Sequence, residues 1–400
     1  MRQKLLPDQR KKIFILMVNM FIAIGSFGII IPILPQYLAS IGEGGTAAGL
    51  MIAIFAGAQL IMSPIAGKWA DQYGRRKMII AGLTGLMISM VIFYFSNTVF
   101  VLYVSRFIGG IGAALLVPAI FAYIADITTM EQRAKGNSLI SASMSLGIVI
   151  GPGIGGFLAE YGIKMPFLVS AIVALIAVIF SVFVLQESQE MGIHQTEADQ
   201  EPMMKKLATS IRKPYFIVLV ITLIMSFGLM AYESVLGLFV DNQYGASPQD
   251  IAVMVTATGI VSVIVQLFIV DKIVNRFGEW SVLVIFIGVA TLGFLLSILV
   301  PNYTGFFAVT LFIFLATSIL RPVLNTLISK MAGNEQGFAM GMNNAYMSIG
   351  NILGPTIAGL LYDVNIYYPF IFGFLILLVT LFVTFAYKKK RQPKNSVMNV

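Results

Sequence analysis

Twelve apolar stretches, each long enough to cross a bilayer, follow one another along this chain of 400 residues. A hydrocarbon core of ~30 Å needs about 20 consecutive apolar residues in a crossing helix. The stretches run over about 13–38, 46–70, 78–97, 99–125, 135–160 and 164–186, then 214–241, 248–271, 279–300, 303–329, 336–362 and 368–388. Each ends at charges, glycine and proline clusters or a short polar turn. Only 11% of the residues are charged against 58% hydrophobic, too few to dissolve a water-soluble fold of this length. The short alternating strands of a membrane barrel are absent. The first stretch is too long for a signal-peptide core and has no small-residue cleavage site, so it is expected to remain in the mature protein. The expected fold is an all-α polytopic membrane protein with twelve transmembrane helices.

Lysine and arginine are retained on the cytoplasmic side of a bilayer, so they orient the spans. If alternate connections are taken as inside, all but three of the 26 cations fall there. Lys164 is the outside exception, and Arg106 and Arg321 lie within spans. Both termini are therefore expected in the cytoplasm of a bacterial cell whose plasma membrane holds the protein. The net charge of +8 is accounted for by topology and implies no nucleic acid. Zero cysteines exclude disulfides, thiolate metal sites and cysteine nucleophiles, and a single histidine, His194, leaves almost no material for a metal centre.

The longest polar stretch, 187–213, separates spans six and seven and has the composition of a mobile cytoplasmic linker. It divides the chain into a six-helix bundle over 1–186 and a second over 214–400 with a basic cytoplasmic tail. The two halves echo each other. Gly147, Gly151 and Pro152 in span five match Gly350, Gly354 and Pro355 in span eleven, 203 residues on. Asp71 and Gly74 after span two match Asn275 and Gly278 after span eight at an offset of 204. Two independent matches in one register predict two pseudo-symmetric bundles, a plan suited to alternating access about a central site.

Four local patterns stand out. Gly67, Asp71 and Gly74 precede Arg75, Arg76 and Lys77 between spans two and three. Gly67 is expected to permit close helix approach, Asp71 to accept hydrogen bonds at a helix end, and Gly74 to support a tight turn. A plain positive-inside anchor would explain the cations alone. Asp126, Glu131 and Arg133 form a second cytoplasmic cluster, either solvated or paired with the Asp71 turn. In span four Arg106 precedes Gly109, Gly110 and Gly112. An intramembrane arginine must pair or face water unless it snorkels, and the glycines let a neighbouring helix come close. In span five Gly147, Gly151, Pro152 and Gly155 give a smooth face with a bend.

These residues resemble the major facilitator superfamily. The 67–77 stretch is similar to its loop motif, 106–114 to its span-four motif, and 147–156 to the span-five motif of exporters. Pro32 and Pro35 fit the proline pair of the twelve-span drug:proton antiporters. Tyr232-Glu233, Leu320-Arg321-Pro322 and Gln336-Gly-Phe338 resemble the multidrug efflux pumps of Gram-positive bacteria. The resemblance covers about residues 13–388. It implies that Glu233, the one acidic residue well inside a span, loads the proton and contacts cationic drugs, with Tyr232 beside it at the substrate site. A carboxylate in low dielectric is held between desolvation, which favours its protonated form, and any nearby cation, which favours its charged form. Arg106 and Arg321 are the candidate partners; the bland alternative is a structurally paired acid. The chain departs from the pumps at Ser318, where they carry an aspartate. That leaves fewer protons per cycle or coupling through Glu233 alone, and a bias toward less cationic substrates.

Phe55, Gln59, Asn343, Asn344 and Tyr346 are further candidates for the substrate cavity, with helix–helix hydrogen bonding the competing role for the amides. The expected function is a proton-coupled antiporter that exports amphipathic, often cationic drugs by alternating access. It would need no cofactor beyond protons, bind no metal or nucleic acid, and act as a monomer among lipids. The alternative is an exporter of a lipid, sugar or endogenous metabolite on the same fold. An ATP-driven pump lacks its phosphate-binding loop here. A membrane enzyme lacks convergent acid, base and nucleophile, and a channel lacks ring-forming filter sequences.

Overall fold

The computed structural model describes residues 7–188, 203–333 and 335–391. Fifteen helices and no strand occur among the described residues. The first six crossings are built from α1 (Pro7–Ile30) with α2 (Leu34–Ser40), α3 (Gly45–Tyr73), α4 (Arg75–Phe95), α5 (Val99–Ile127), α6 (Met130–Ala159) and α7 (Met165–Val184). A short helix, α8 (Met203–Ser210), precedes the second set. That set is α9 (Phe216–Tyr244), α10 (Pro248–Phe268) with α11 (Val270–Phe277), α12 (Glu279–Leu299), α13 (Tyr303–Ala332), α14 (Gln336–Val364) and α15 (Tyr368–Arg391). Eleven of these helices are long and apolar enough to cross a membrane. The twelfth crossing, α14, has the length, but Asn343, Asn344 and Asn351 lower its hydropathy.

Span one breaks at Ile31–Ile33, because Pro32 cannot donate to the helical ladder and Pro35 falls in the first turn of α2. The stretch that reads as a mobile linker is helical over its last part. Residues 203–210 form α8, whose Ser210 Oγ bonds the Tyr346 hydroxyl of α14 at 2.9 Å. Its start is also held: Gln186 accepts a hydrogen bond from the Tyr123 hydroxyl at 2.7 Å, and Ser188 Oγ donates to Asp126 at 2.8 Å. His194 lies outside the described residues.

Packing divides the chain into two units, Met1–Gln200 with Ser234–Gly259, and Glu201–Glu233 with Ile260–Val400. The repeat boundary at 187–213 is a division of sequence; the division by contact also cuts α9 and α10. The reason is visible at glycines. A Cβ on Gly259 would meet Val149 at 2.9 Å, and one on Gly237 would meet Pro35 at the same distance. Residues 234–259 therefore pack with the first unit.

In the first unit α4 lies on α5 and α7, α3 on α5, and α1 on α6. Glycine makes the α4–α5, α3–α5 and α1–α6 contacts possible. Gly82 of α4 and Gly112 of α5 face each other so closely that a Cβ on either would reach the other's carbonyl oxygen at 2.7–2.8 Å. Gly147 of α6 would meet Gly25 N at 2.9 Å and Phe21 O at 3.0 Å in α1. The second unit repeats the device: a Cβ on Gly350 of α14 would meet Phe227 N of α9 at 2.8 Å, and Gly354 is pressed on the Phe227 carbonyl. Small residues do this because backbones in lipid associate through close van der Waals contact.

Gly67 does not fit this pattern. Among the described residues no neighbouring atom lies within 4 Å of a Cβ built on it, so the expected close helix approach is not seen within its unit. Gly67→Ala is expected to leave membrane yield and thermal stability unchanged.

Candidate functional site

At the end of α3 the chain turns at Gly74, whose φ of +100° is a conformation that side-chain-bearing residues rarely adopt. The turn delivers Arg75 as the first residue of α4. Arg75 is buried, ion-paired with Asp71 one turn earlier, and 3.4 Å from Asp126 at the end of α5. Asp126 of the second charged cluster is thus joined to the Asp71 turn. Arg133 Nη2 donates to the Ala125 carbonyl at 3.0 Å; the Glu131 side chain lies outside the described part. Arg76 presents its backbone N–H to Glu187 Oε1 at 3.2 Å. The second half mirrors the turn at Gly278, with φ of +74°, and there the pair is inverted in sign: Glu279 follows the glycine and binds Lys330. Glu279 and Lys330 stand 204 residues after Arg75 and Asp126, so one bridge recurs with its charges exchanged.

Arg106, deep in α5, is 4% exposed, with its guanidinium 5.0 Å from the Phe93 ring centre. It does not snorkel, and an aromatic face supplies part of what water would. Gly109 and Gly110 hold the same helix against α3 at Phe55 and Ala58. Phe55 also packs on Phe27, ring centres 5.3 Å apart, and Gln59 is half-buried one turn on.

The second unit holds the remaining candidates. Glu233 lies in the middle of α9, and Arg321 of α13 is the cation whose charge acts on it. Arg321 is exposed along a cleft whose wall includes Thr222, Met225, Asn325, Asn343 and Met347. Its Nη2 lies 3.1 Å from Met347 Sδ, a weak acceptor. Ser318, one turn before Arg321, cannot serve as a second acid. Its Oγ donates to the Phe314 carbonyl at 2.6 Å and is bonded to Ser262 Oγ at 2.7 Å.

Two of the candidate tyrosines are enclosed by the protein. Tyr232 is 1% exposed, its ring among Phe294, Phe306, Phe314 and Phe370. Its hydroxyl bonds Thr310 Oγ1 at 2.8 Å. The side chain is thus enclosed, with its hydroxyl held inside the second unit. Tyr232→Phe is expected to cost about 1 kcal/mol of stability, the worth of one hydrogen bond, and to show as a lower melting temperature with the substrate range unchanged. Tyr346 is likewise buried, and its hydroxyl is taken by Ser210. Asn344 is exposed, whereas Asn343 faces the cleft. Asn325 and Asn351 belong to the same wall and were missed. The signal was helical spacing: Asn325 follows Arg321 by four residues, and Asn351 follows Asn343 by eight, with Met347 between.

Residues 16–315 and 218–398 match the sequence profile of the Major Facilitator Superfamily. The chain belongs to that superfamily. Within it, the chain is 41% identical to Multidrug resistance protein 2 of Bacillus subtilis over 97% of its length and 98% of that protein's. It is 34% identical to the Quinolone resistance protein NorA of Staphylococcus aureus, over 90% of this chain and 92% of NorA. The fold agrees with a crystal structure of the nucleoside transporter NupG, with a TM-score of 0.74 at 15% identity over 96% of this chain and 100% of that one. As a Major Facilitator Superfamily member the protein is a multi-pass membrane transporter, not an enzyme.

Proposed function

We propose that this protein exports amphipathic, often cationic small molecules in exchange for protons. Export of drugs is supported by the relatives, whose names record multidrug and quinolone resistance. Proton coupling rests on one observation above the others: Glu233 is an acid mid-way along α9, in the same unit as Arg321, which lines a cleft walled by methionines and amides. Drug and proton compete for one negative charge. Protons entering from outside neutralise Glu233, reorientation carries the site to the cytoplasm, and proton loss there restores the charge that attracts a cation. The linkage is reciprocal, so a proton gradient moves cargo uphill without ATP. With Ser318 in place of a second acid, coupling runs through Glu233 alone. The distribution of lysine and arginine supports termini on the cytoplasmic side, and the protein acts as a monomer with protons as its coupling ion and no metal or cofactor.

Competition has a direct readout. Adding a transported cation to purified protein in weakly buffered detergent near neutral pH releases protons, and the Glu233→Gln variant releases none. Binding of the cation by the wild type with no change in pH contradicts the competition.

A further inference from the structure

Among the described residues, the cleft wall of the second unit carries a buried polar atom that is left unmatched. Asn343 is 3% exposed and forms part of the cleft wall beside Arg321, Asn325 and Met347. Its Nδ2 donates to Asn325 Oδ1 at 2.8 Å, and Oδ1 is left over. Asn343 Oδ1 is buried and, among the described residues, has no hydrogen-bond partner. Buried polar atoms are nearly always bonded, so an orphan acceptor in a cleft wall marks a place where a ligand completes the bonding. The nearest cation does not fill the role, because Arg321 Nη2 is turned to Met347 Sδ. The atom accepts only, so the group that matches it is an N–H or O–H donor. Met225, Met230 and Met347 line the same space, and their flexible thioethers can re-pack around ligands of different shape.

We propose that Asn343 Oδ1 is a specificity-determining acceptor, through which the cleft selects amphipathic cations that also carry an N–H donor, such as an arylamine or an amide. The inference rests on the reading of the chain as an exporter of such cations and adds a hydrogen-bond rule to it. Charge alone would treat all lipophilic cations alike; a buried acceptor penalises those that leave it unpaired.

The test compares two probes in vesicles with an imposed pH gradient. Ethidium is a planar cation with two arylamines, and tetraphenylphosphonium is an aryl cation with no N–H. In the Asn343→Leu variant, ethidium transport falls about tenfold relative to tetraphenylphosphonium transport, the factor expected for one buried hydrogen bond. Asn343→Asp, which retains acceptor oxygens, restores the wild-type ratio to within about twofold on the same reasoning. Using the ratio of two cargoes in one preparation removes differences in yield and folding. An unchanged ratio in Asn343→Leu overturns the proposal, as does an Asn343→Asp variant as unselective as Asn343→Leu. Wild-type vesicles that move neither cation overturn the export reading itself, and the assignment of Asn343 falls with it.

Discussion

Replacing Glu233 by glutamine removes gradient-driven export while leaving the protein folded in the membrane. Glutamine keeps the volume and the hydrogen-bonding edge of the side chain but can neither take up a proton nor attract a cation. Arg321 then stands with a neutral residue where a carboxylate stood. Coupling free energies between linked sites are about 1–3 kcal/mol, a factor of about 5–150, and in the proposed mechanism the whole linkage is routed through one group. Uphill transport should therefore drop by at least about tenfold, to the level of passive leak. Binding of an uncharged amphipath should survive, because the methionine and amide walls of the cleft are untouched. Purified variant with a normal melting temperature but no uphill transport is the expected pair of results. A variant that still pumps as the wild type does would remove Glu233 from the mechanism.

The second large effect is on the fold. Gly112→Leu is expected to abolish properly folded protein. The α4–α5 contact is backbone on backbone: a Cβ at position 112 would sit 2.8 Å from the Gly82 carbonyl oxygen and 2.9 Å from Leu86 N. Ordinary overpacking, relieved by rotamer changes, costs about 1–3 kcal/mol. No rotamer relieves this contact, so the two helices must separate along the seam that also buries Leu83, Leu86 and Leu116. The cost exceeds that range, and the measurement is the yield of monodisperse protein after detergent extraction. A normal yield and melting temperature would show that the α4–α5 seam is looser than the geometry says. Gly67→Ala is the control, since among the described residues no neighbouring atom lies within 4 Å of its Cβ position.

These two glycines show how far the sequence could be read. Both occur in motifs of small residues, and spacing alone marks both as helix-approach positions. Only the partner helix decides, and within its unit position 67 has none there. The count and type of helices were legible because lipid imposes a length and an apolarity on every crossing. The twofold repeat was legible for a different reason: a positive-φ glycine and a glycine seam are demands of backbone geometry, so Gly74 and Gly278, or Gly147 and Gly350, recur in register.

The site was legible in its charges and less so in its neutral polar groups. An acid or arginine inside a span has few tolerable environments, which made Glu233, Arg106 and Arg321 stand out. A tyrosine hydroxyl or a serine is satisfied by any nearby carbonyl or hydroxyl. Nothing in one chain position said that Tyr232 would turn to Thr310, Tyr346 to Ser210, or Ser318 to Phe314. Asn325 escaped for the converse reason, being a single amide near the end of a span, although its spacing from Arg321 placed it on the same helix face. The inverted ion pair of Glu279 and Lys330 was hidden because the repeat keeps the bridge and not the sign of either end.

A proton gradient acting through Glu233 is the proposed driving force for export. Its most direct measurement is ethidium accumulation in inside-out membrane vesicles holding the protein, with an acidic lumen imposed and then dissipated by a protonophore. The predicted result is uphill accumulation that begins with the gradient, discharges when it collapses, and is absent from Glu233→Gln vesicles. Accumulation that persists after the collapse, with no ATP present, would contradict it.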